Sequence, residues 1–158
     1  MTTFTTSTRS SATVTASPEA VWSAITDPDT VARLTPFLAR VTERGEHWVW
    51  EMTKVPVLGT SASFTFTERM TFVEHERMEF THDPAAADGD EIAGVEGWYD
   101  LAPSTDGTRL ETSMAISVDL PFPRVARSGV EAGMKGVVAL MGQRFSQNLL
   151  THLGARAA

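Results

Sequence analysis

From Arg124 to Leu153 this chain runs thirty residues without a proline, and its apolar side chains recur at helical spacing. Val130, Met134, Val137, Met141, Phe145 and Leu149 project at 100° per residue onto one stripe, with Glu131, Lys135, Gln143, Ser146 and Gln147 away from it. Gly154 stands where a C-cap is wanted. At 1.5 Å per residue, roughly 30 residues make a helix of about 45 Å, long enough to cross a whole sheet. An apolar stripe of that length needs a surface of matching length to cover it, so the rest of the chain must supply one.

The preceding residues read as that surface. Ser7 to Ala16 is rich in Thr and loosely alternating, a first strand. It stops at Ser17-Pro18-Glu19, a helix start with a capping hydroxyl, a proline at the first turn and an acid facing the helix dipole. Val21, Trp22 and Ile25 follow at helical spacing. Asp27-Pro28-Asp29 repeats the signal for a second short helix carrying Val31 and Leu34, ended by Pro36. From Leu38 the period becomes two. Leu38–Arg44 and His47–Lys54 flank a Gly45-Glu46 turn, and a long strand spans Ser61–Val73. Met78–His82 follows the His75-Glu76-Arg77 turn, Asp83–Glu91 is a polar loop, and Ile92–Ala102 and Arg109–Leu120 pair through Asp106-Gly107. Pro121-Phe122-Pro123 ends the sheet. The reading is α+β: a curved antiparallel sheet of about seven strands around one long C-terminal helix, with two short helices after the first strand, all in one domain over residues 1–158.

Composition narrows the partners. With 42% hydrophobic and 21% charged residues the chain can bury a core. Thirteen Lys and Arg against twenty Asp and Glu leave a formal charge of −7, and only Lys54 and Lys135 are lysines. Such a surface repels phosphate backbones, which argues against nucleic acid and against charge-driven binding to anionic membranes. The absence of cysteine excludes disulfides, thiolate metal sites and cysteine nucleophiles. Neither a signal-peptide core nor a run of roughly 20 apolar residues is present, so membrane insertion is not expected and a cytoplasmic location is. Oligomeric state is not legible.

The order of elements, with Ala16-Ser17-Pro18-Glu19-Ala20-Val21-Trp22-Ser23-Ala24-Ile25-Thr26-Asp27-Pro28 near the start and the Gly97–Ser113 hairpin near the end, resembles the START-like superfamily. This group is also called SRPBCC or Bet v 1-like and includes polyketide cyclase and lipid-transport relatives. The resemblance covers nearly the whole chain and implies a helix-grip fold, in which the sheet wraps the long helix and leaves a hydrophobic cavity. Hsp90-activator-like members carry a tryptophan where this chain has Pro36-Phe37-Leu38.

Strand parity and the helix stripe then select the lining. Phe64, Phe66, Glu68, Met70 and Phe72 share a face, as do Trp48, Trp50 and Met52, and as do Leu110, Thr112, Met114, Ile116 and Val118. Tyr99 with Leu101 is placed inward and Trp98 outward, beside Glu96 and Asp100. The expected ligand-binding set is Trp50, Phe64, Phe66, Tyr99, Met114, Ile116, Met134, Val137, Met141, Phe145 and Asn148. The four glycines of the helix, Gly129, Gly133, Gly136 and Gly142, each cost about 1 kcal/mol there, pointing to close packing or reserved space. The methionines suit an adaptable wall. Against this stands a solid core.

Glu68 is the one candidate for acid–base chemistry: a carboxylate on an inward parity would have a raised pKa. The other reading is a strand that leaves the core near Thr67, with Glu68 solvated or paired to Arg69. Asn148 and His152, four apart, either reach a pocket end or mark where the helix emerges. His75 and His82 stand among acids, but their spacing matches no ligand motif, so neither metal nor cofactor is expected. A small hydrophobic molecule is the expected partner. Three roles are open: a carrier, sensor or sequestering protein; an aromatase/cyclase-like enzyme; and a co-chaperone-like interaction domain.

Overall fold

The caps act as the sequence demands. In the computed structural model, which describes all 158 residues, the Ser17 hydroxyl accepts from the Ala20 N–H at 3.2 Å and starts α1 (Pro18–Ile25). The Asp27 carboxylate accepts from the Thr30 N–H at 3.1 Å and starts α2 (Pro28–Leu34). Each helix is held by the face its periodicity marked: Val21, Trp22 and Ile25 in one and Val31 and Leu34 in the other are buried.

Seven antiparallel strands make one sheet. They are β1 (Thr2–Val14), β2 (Leu38–Arg44), β3 (His47–Val57), β4 (Thr60–Val73), β5 (Arg77–His82), β6 (Ala93–Ser104) and β7 (Gly107–Leu120), in the spatial order β1-β7-β6-β5-β4-β3-β2. Consecutive strands from β2 to β7 are neighbours, and β1 returns to pair with β7 along its full length, from Thr2 opposite Leu120 to Val14 opposite Thr108. That pairing explains why β1 begins at Thr2 and not at Ser7. The long partner supplies hydrogen bonds to a Thr-rich stretch whose own alternation is weak. The far end of β1 is covered by the chain terminus, where the Ala158 N–H donates to the Thr13 carbonyl and the Thr15 N–H to that of Arg156.

β3 also differs from expectation. Its alternation breaks at Lys54, which adopts φ 54°, and the register slips between Met52 and Val55. The strand continues to Val57, so the bulge moves Val55 and Val57 onto the face already held by Trp48, Trp50 and Met52. Pro56 sits at the far end of the ladder, opposite Ser61, where its missing N–H costs little.

α3 (Arg127–Leu153) follows a single 3-10 turn at Arg124–Ala126 and ends on Gly154, whose φ of 61° supplies the left-handed cap. It is gripped at its ends. Val130 and Leu149 are buried, and between them Met134, Val137, Met141 and Phe145 are only partly so. Those two anchors are separated by about 28 Å of helix. Close packing is not what the helix glycines serve. A Cβ at Gly129, Gly136 or Gly142 would meet nothing within 4 Å, and at Gly133 only the Leu58 side chain at 3.6 Å. No helix is long and apolar enough to cross a membrane.

Candidate functional site: a cavity under the long helix

Between the anchors of α3 and the concave face of the sheet lies a cavity of about 500 Å³, with 24 hydrophobic residues among the 33 that line it. Of the side chains selected from sequence, Trp50, Phe64, Phe66, Tyr99, Met114, Ile116, Met134, Val137, Met141 and Phe145 all stand on its wall. They come from β3, β4, β6, β7 and α3, brought to one place by the curl of the sheet. Part of that wall is a cluster of aromatic rings. Trp50 stacks on Phe66 with ring centres 5.8 Å apart and planes 10° apart, and Trp48 lies against Trp50 at 6.0 Å. Phe80 packs on Tyr99 at 6.2 Å. Trp98 points the other way, as its parity requires, with the guanidinium groups of Arg9 and Arg77 over its ring.

Asn148 departs from its expected place. Its amide donates to the Leu34 carbonyl at 2.9 Å, and it is not on the cavity wall. The last carbonyls of α2 have no partner within their own helix, and Asn148 satisfies one of them. His152, a turn further on, is exposed. The two histidines of the acidic stretch are apart in space and in role. The His75 ring stands edge-on to Trp22, whereas the His82 Nε2 bonds Glu91 at 2.8 Å.

Several wall residues escape sequence reasoning. Gln143 and Ser146 fall on the polar side of the helical projection, yet they line the cavity together with Ala139, Gly142, Thr8 and Ser10. Ala139, Gly142, Gln143, Ser146 and Ser10 are also exposed, which marks where the cavity reaches solvent. Small and polar residues at a mouth carry the same sequence signal as an ordinary solvated face. Phe80 and Met78 of β5 carried a usable signal, the alternation of the strand itself.

Glu68 settles in favour of the inward reading. β4 stays in the sheet to Val73, and Glu68 lies opposite Trp48 on one side and His82 on the other. It is 1% exposed and on the cavity wall. Its neighbour Arg69 projects from the opposite face and bonds Glu46 and Asp83 instead. Thr67, where the strand was expected to leave the core, is buried because Glu91 covers it, accepting from the Thr67 N–H at 2.9 Å and from its hydroxyl at 2.7 Å. Burial pushes the Glu68 carboxyl well above the usual carboxylate range. The Trp50 indole N–H is near enough to oppose that rise weakly, but it does not reach hydrogen-bonding geometry, and both Glu68 Oε1 and Trp50 Nε1 remain without a partner. The Tyr99 hydroxyl is pushed up to about 12, mainly by burial, partly offset by the Thr112 hydroxyl and added to by the charge Glu68 would carry. Burial therefore favours the uncharged form of both groups, in which each can donate a hydrogen bond. They are also the only titratable side chains on the wall, with no Lys, Arg or His among the lining residues.

Comparison with solved structures places this architecture among known folds. The chain is similar to a START superfamily protein from Mycobacterium smegmatis, with 15% identity, 95% of this chain and 97% of that chain covered, and a TM-score of 0.65. It is similar to a protein from Chromobacterium violaceum, with 20% identity, 93% and 96% coverage and a TM-score of 0.63. It also matches the di-domain ARO/CYC protein StfQ of the steffimycin biosynthetic pathway, at 9% identity and a TM-score of 0.66 over 96% of this chain and 51% of that one. At these identities the likeness is one of fold. No curated protein matches the sequence. The family model for polyketide cyclase / dehydrase and lipid transport matches residues 5–157, nearly the whole chain, and the protein belongs to that family.

Proposed function

We propose that this protein binds a small hydrophobic molecule (a lipid, polyketide or aromatic metabolite) in the cavity beneath α3, as a carrier, sensor or sequestering protein. The observation that carries the reading is the cavity itself. A volume of about 500 Å³ lies within the range of small-molecule sites, and close-packed side chains do not fill it. An apolar space of that size is costly for a core to keep empty, because its walls forgo dispersion contacts that packing would supply. Membership of a family described by cyclisation and lipid transport supports the same reading.

Native mass spectrometry of the purified protein, followed by solvent extraction, tests it. The expected result is a mass increment lost on extraction, or, for protein purified empty, saturable micromolar binding of the apolar fluorophore N-phenyl-1-naphthylamine. A protein showing neither would overturn the reading.

One observation supports a catalytic variant of it. A lone buried acid facing an apolar cavity suits proton transfer to a confined substrate, as an aromatase/cyclase-like enzyme requires. Incubation with a candidate poly-ketone substrate separates the two. A carrier returns it unchanged, whereas an enzyme releases altered product and loses turnover in Glu68→Gln.

A further inference from the structure

Every polar group buried in an apolar wall needs a partner or carries a desolvation cost. Here the cost falls at one place. Glu68 is the most deeply buried charged-type residue of the chain, its Oε1 has no hydrogen-bond partner, and the Trp50 Nε1 near it has none either. Tyr99, two strands away on β6, lines the same cavity wall. The rest of the wall is apolar except for small hydroxyl residues and Gln143. On the proposed reading of the cavity as a ligand site, this is the one point deep in the wall where a ligand's polar group would gain rather than lose by burial.

We infer that the Glu68 carboxyl is the specificity-determining point of the cavity wall and receives an acceptor oxygen, a ketone or ester carbonyl, of an otherwise apolar and uncharged ligand. The chemistry of the wall decides against the charged alternatives. An anionic head would be buried with no Lys, Arg or His to meet it. An ammonium would require Glu68 to ionise where burial disfavours its charge, and a buried ion pair recovers little beyond its own desolvation. A pure hydrocarbon would fit the volume but leave the Glu68 hydroxyl unbonded. A carbonyl oxygen accepts from the protonated carboxyl without any change of charge.

Four naphthalenes of nearly equal size, differing only in one substituent, separate these cases: 2-acetylnaphthalene, 2-ethylnaphthalene, 2-naphthoate and 2-(aminomethyl)naphthalene. Dissociation constants are measured by calorimetry on the full-length wild type, Glu68→Gln and Glu68→Met. The ketone is expected to bind about tenfold more tightly than the ethyl compound to the wild type. Glu68→Gln, which keeps a donor, retains most of that preference, and Glu68→Met, which keeps none, erases it by weakening the ketone alone. Equal affinity of ketone and ethyl compound for the wild type would overturn the assignment while leaving the cavity as a ligand site. Tightest binding of the amine, lost in Glu68→Gln, would overturn it in favour of Glu68 as a counter-ion. If none of the four binds, the ligand site itself is refuted. The wild-type comparison decides the matter should Glu68→Met not fold.

Discussion

A carboxyl held neutral in an apolar wall ties the stability of this protein to pH, and Glu68→Gln exposes that tie. In the unfolded chain Glu68 ionises near its ordinary 4.5, whereas in the folded protein burial holds it protonated far above that value. A folded-state pKa raised in this way favours folding most at low pH. As pH climbs past 4.5 the unfolded chain gives up a proton that the folded chain keeps, and the folded state loses about 1.4 kcal/mol per pH unit until the pH reaches the folded pKa. Glutamine has nearly the same shape and does not titrate. The stability of Glu68→Gln relative to wild type should therefore rise by about 1.4 kcal/mol for each unit above pH 4.5 and level off once the folded-state pKa is passed. Arg69 is engaged on the opposite face, His82 across the ladder is bonded to Glu91, and the cavity wall has no cation. Urea unfolding of both proteins at matched pH steps, followed by tryptophan fluorescence, measures it. The four histidines and the other carboxyls are common to both proteins and cancel in the difference. Parallel stability profiles would show that Glu68 ionises freely in the folded state, and the account of a neutral acid in the cavity would fall.

Other perturbations test the rest of the architecture. Met141→Trp, on the wall at mid-helix, should abolish binding of N-phenyl-1-naphthylamine while leaving the melting temperature equal or higher, because added bulk fills space instead of displacing neighbours. Asn148→Leu should cost about 0.5–1.5 kcal/mol by urea unfolding, since the Leu34 carbonyl loses its donor, yet change probe affinity less than twofold. Gly97→Ala should fail to accumulate as folded protein, as judged by circular dichroism. Its Cβ would collide with the Ser113 backbone carbonyl across the β6–β7 ladder, where neither strand can move alone. Asp27→Ala should cost about 1 kcal/mol through loss of the α2 cap.

What the sequence determined was whatever depends on local period and local chemistry. Ser17-Pro18 and Asp27-Pro28 dictate two helix starts, the alternation from Trp48 to Met52 and from Phe64 to Glu68 dictates inward faces, and the proline-free stripe to Leu153 dictates the long helix. Because side-chain direction follows from period, ten of the eleven side chains expected to bind a ligand stand together on the cavity wall. Partnership across the chain was not written locally. Only the fold decided that β7 would draw Thr2 into a strand, that a bulge at Lys54 would turn Val55 and Val57 inward, and that Asn148 would serve the end of α2 instead of the cavity. The fate of Glu68 belongs there too. Parity aimed it inward, but whether an acid so aimed is solvated, paired or stranded depends on what other strands bring to meet it. Here they bring Trp48, Trp50 and Tyr99 and no positive charge, beneath a helix braced at Val130 and Leu149 and held off the sheet between them.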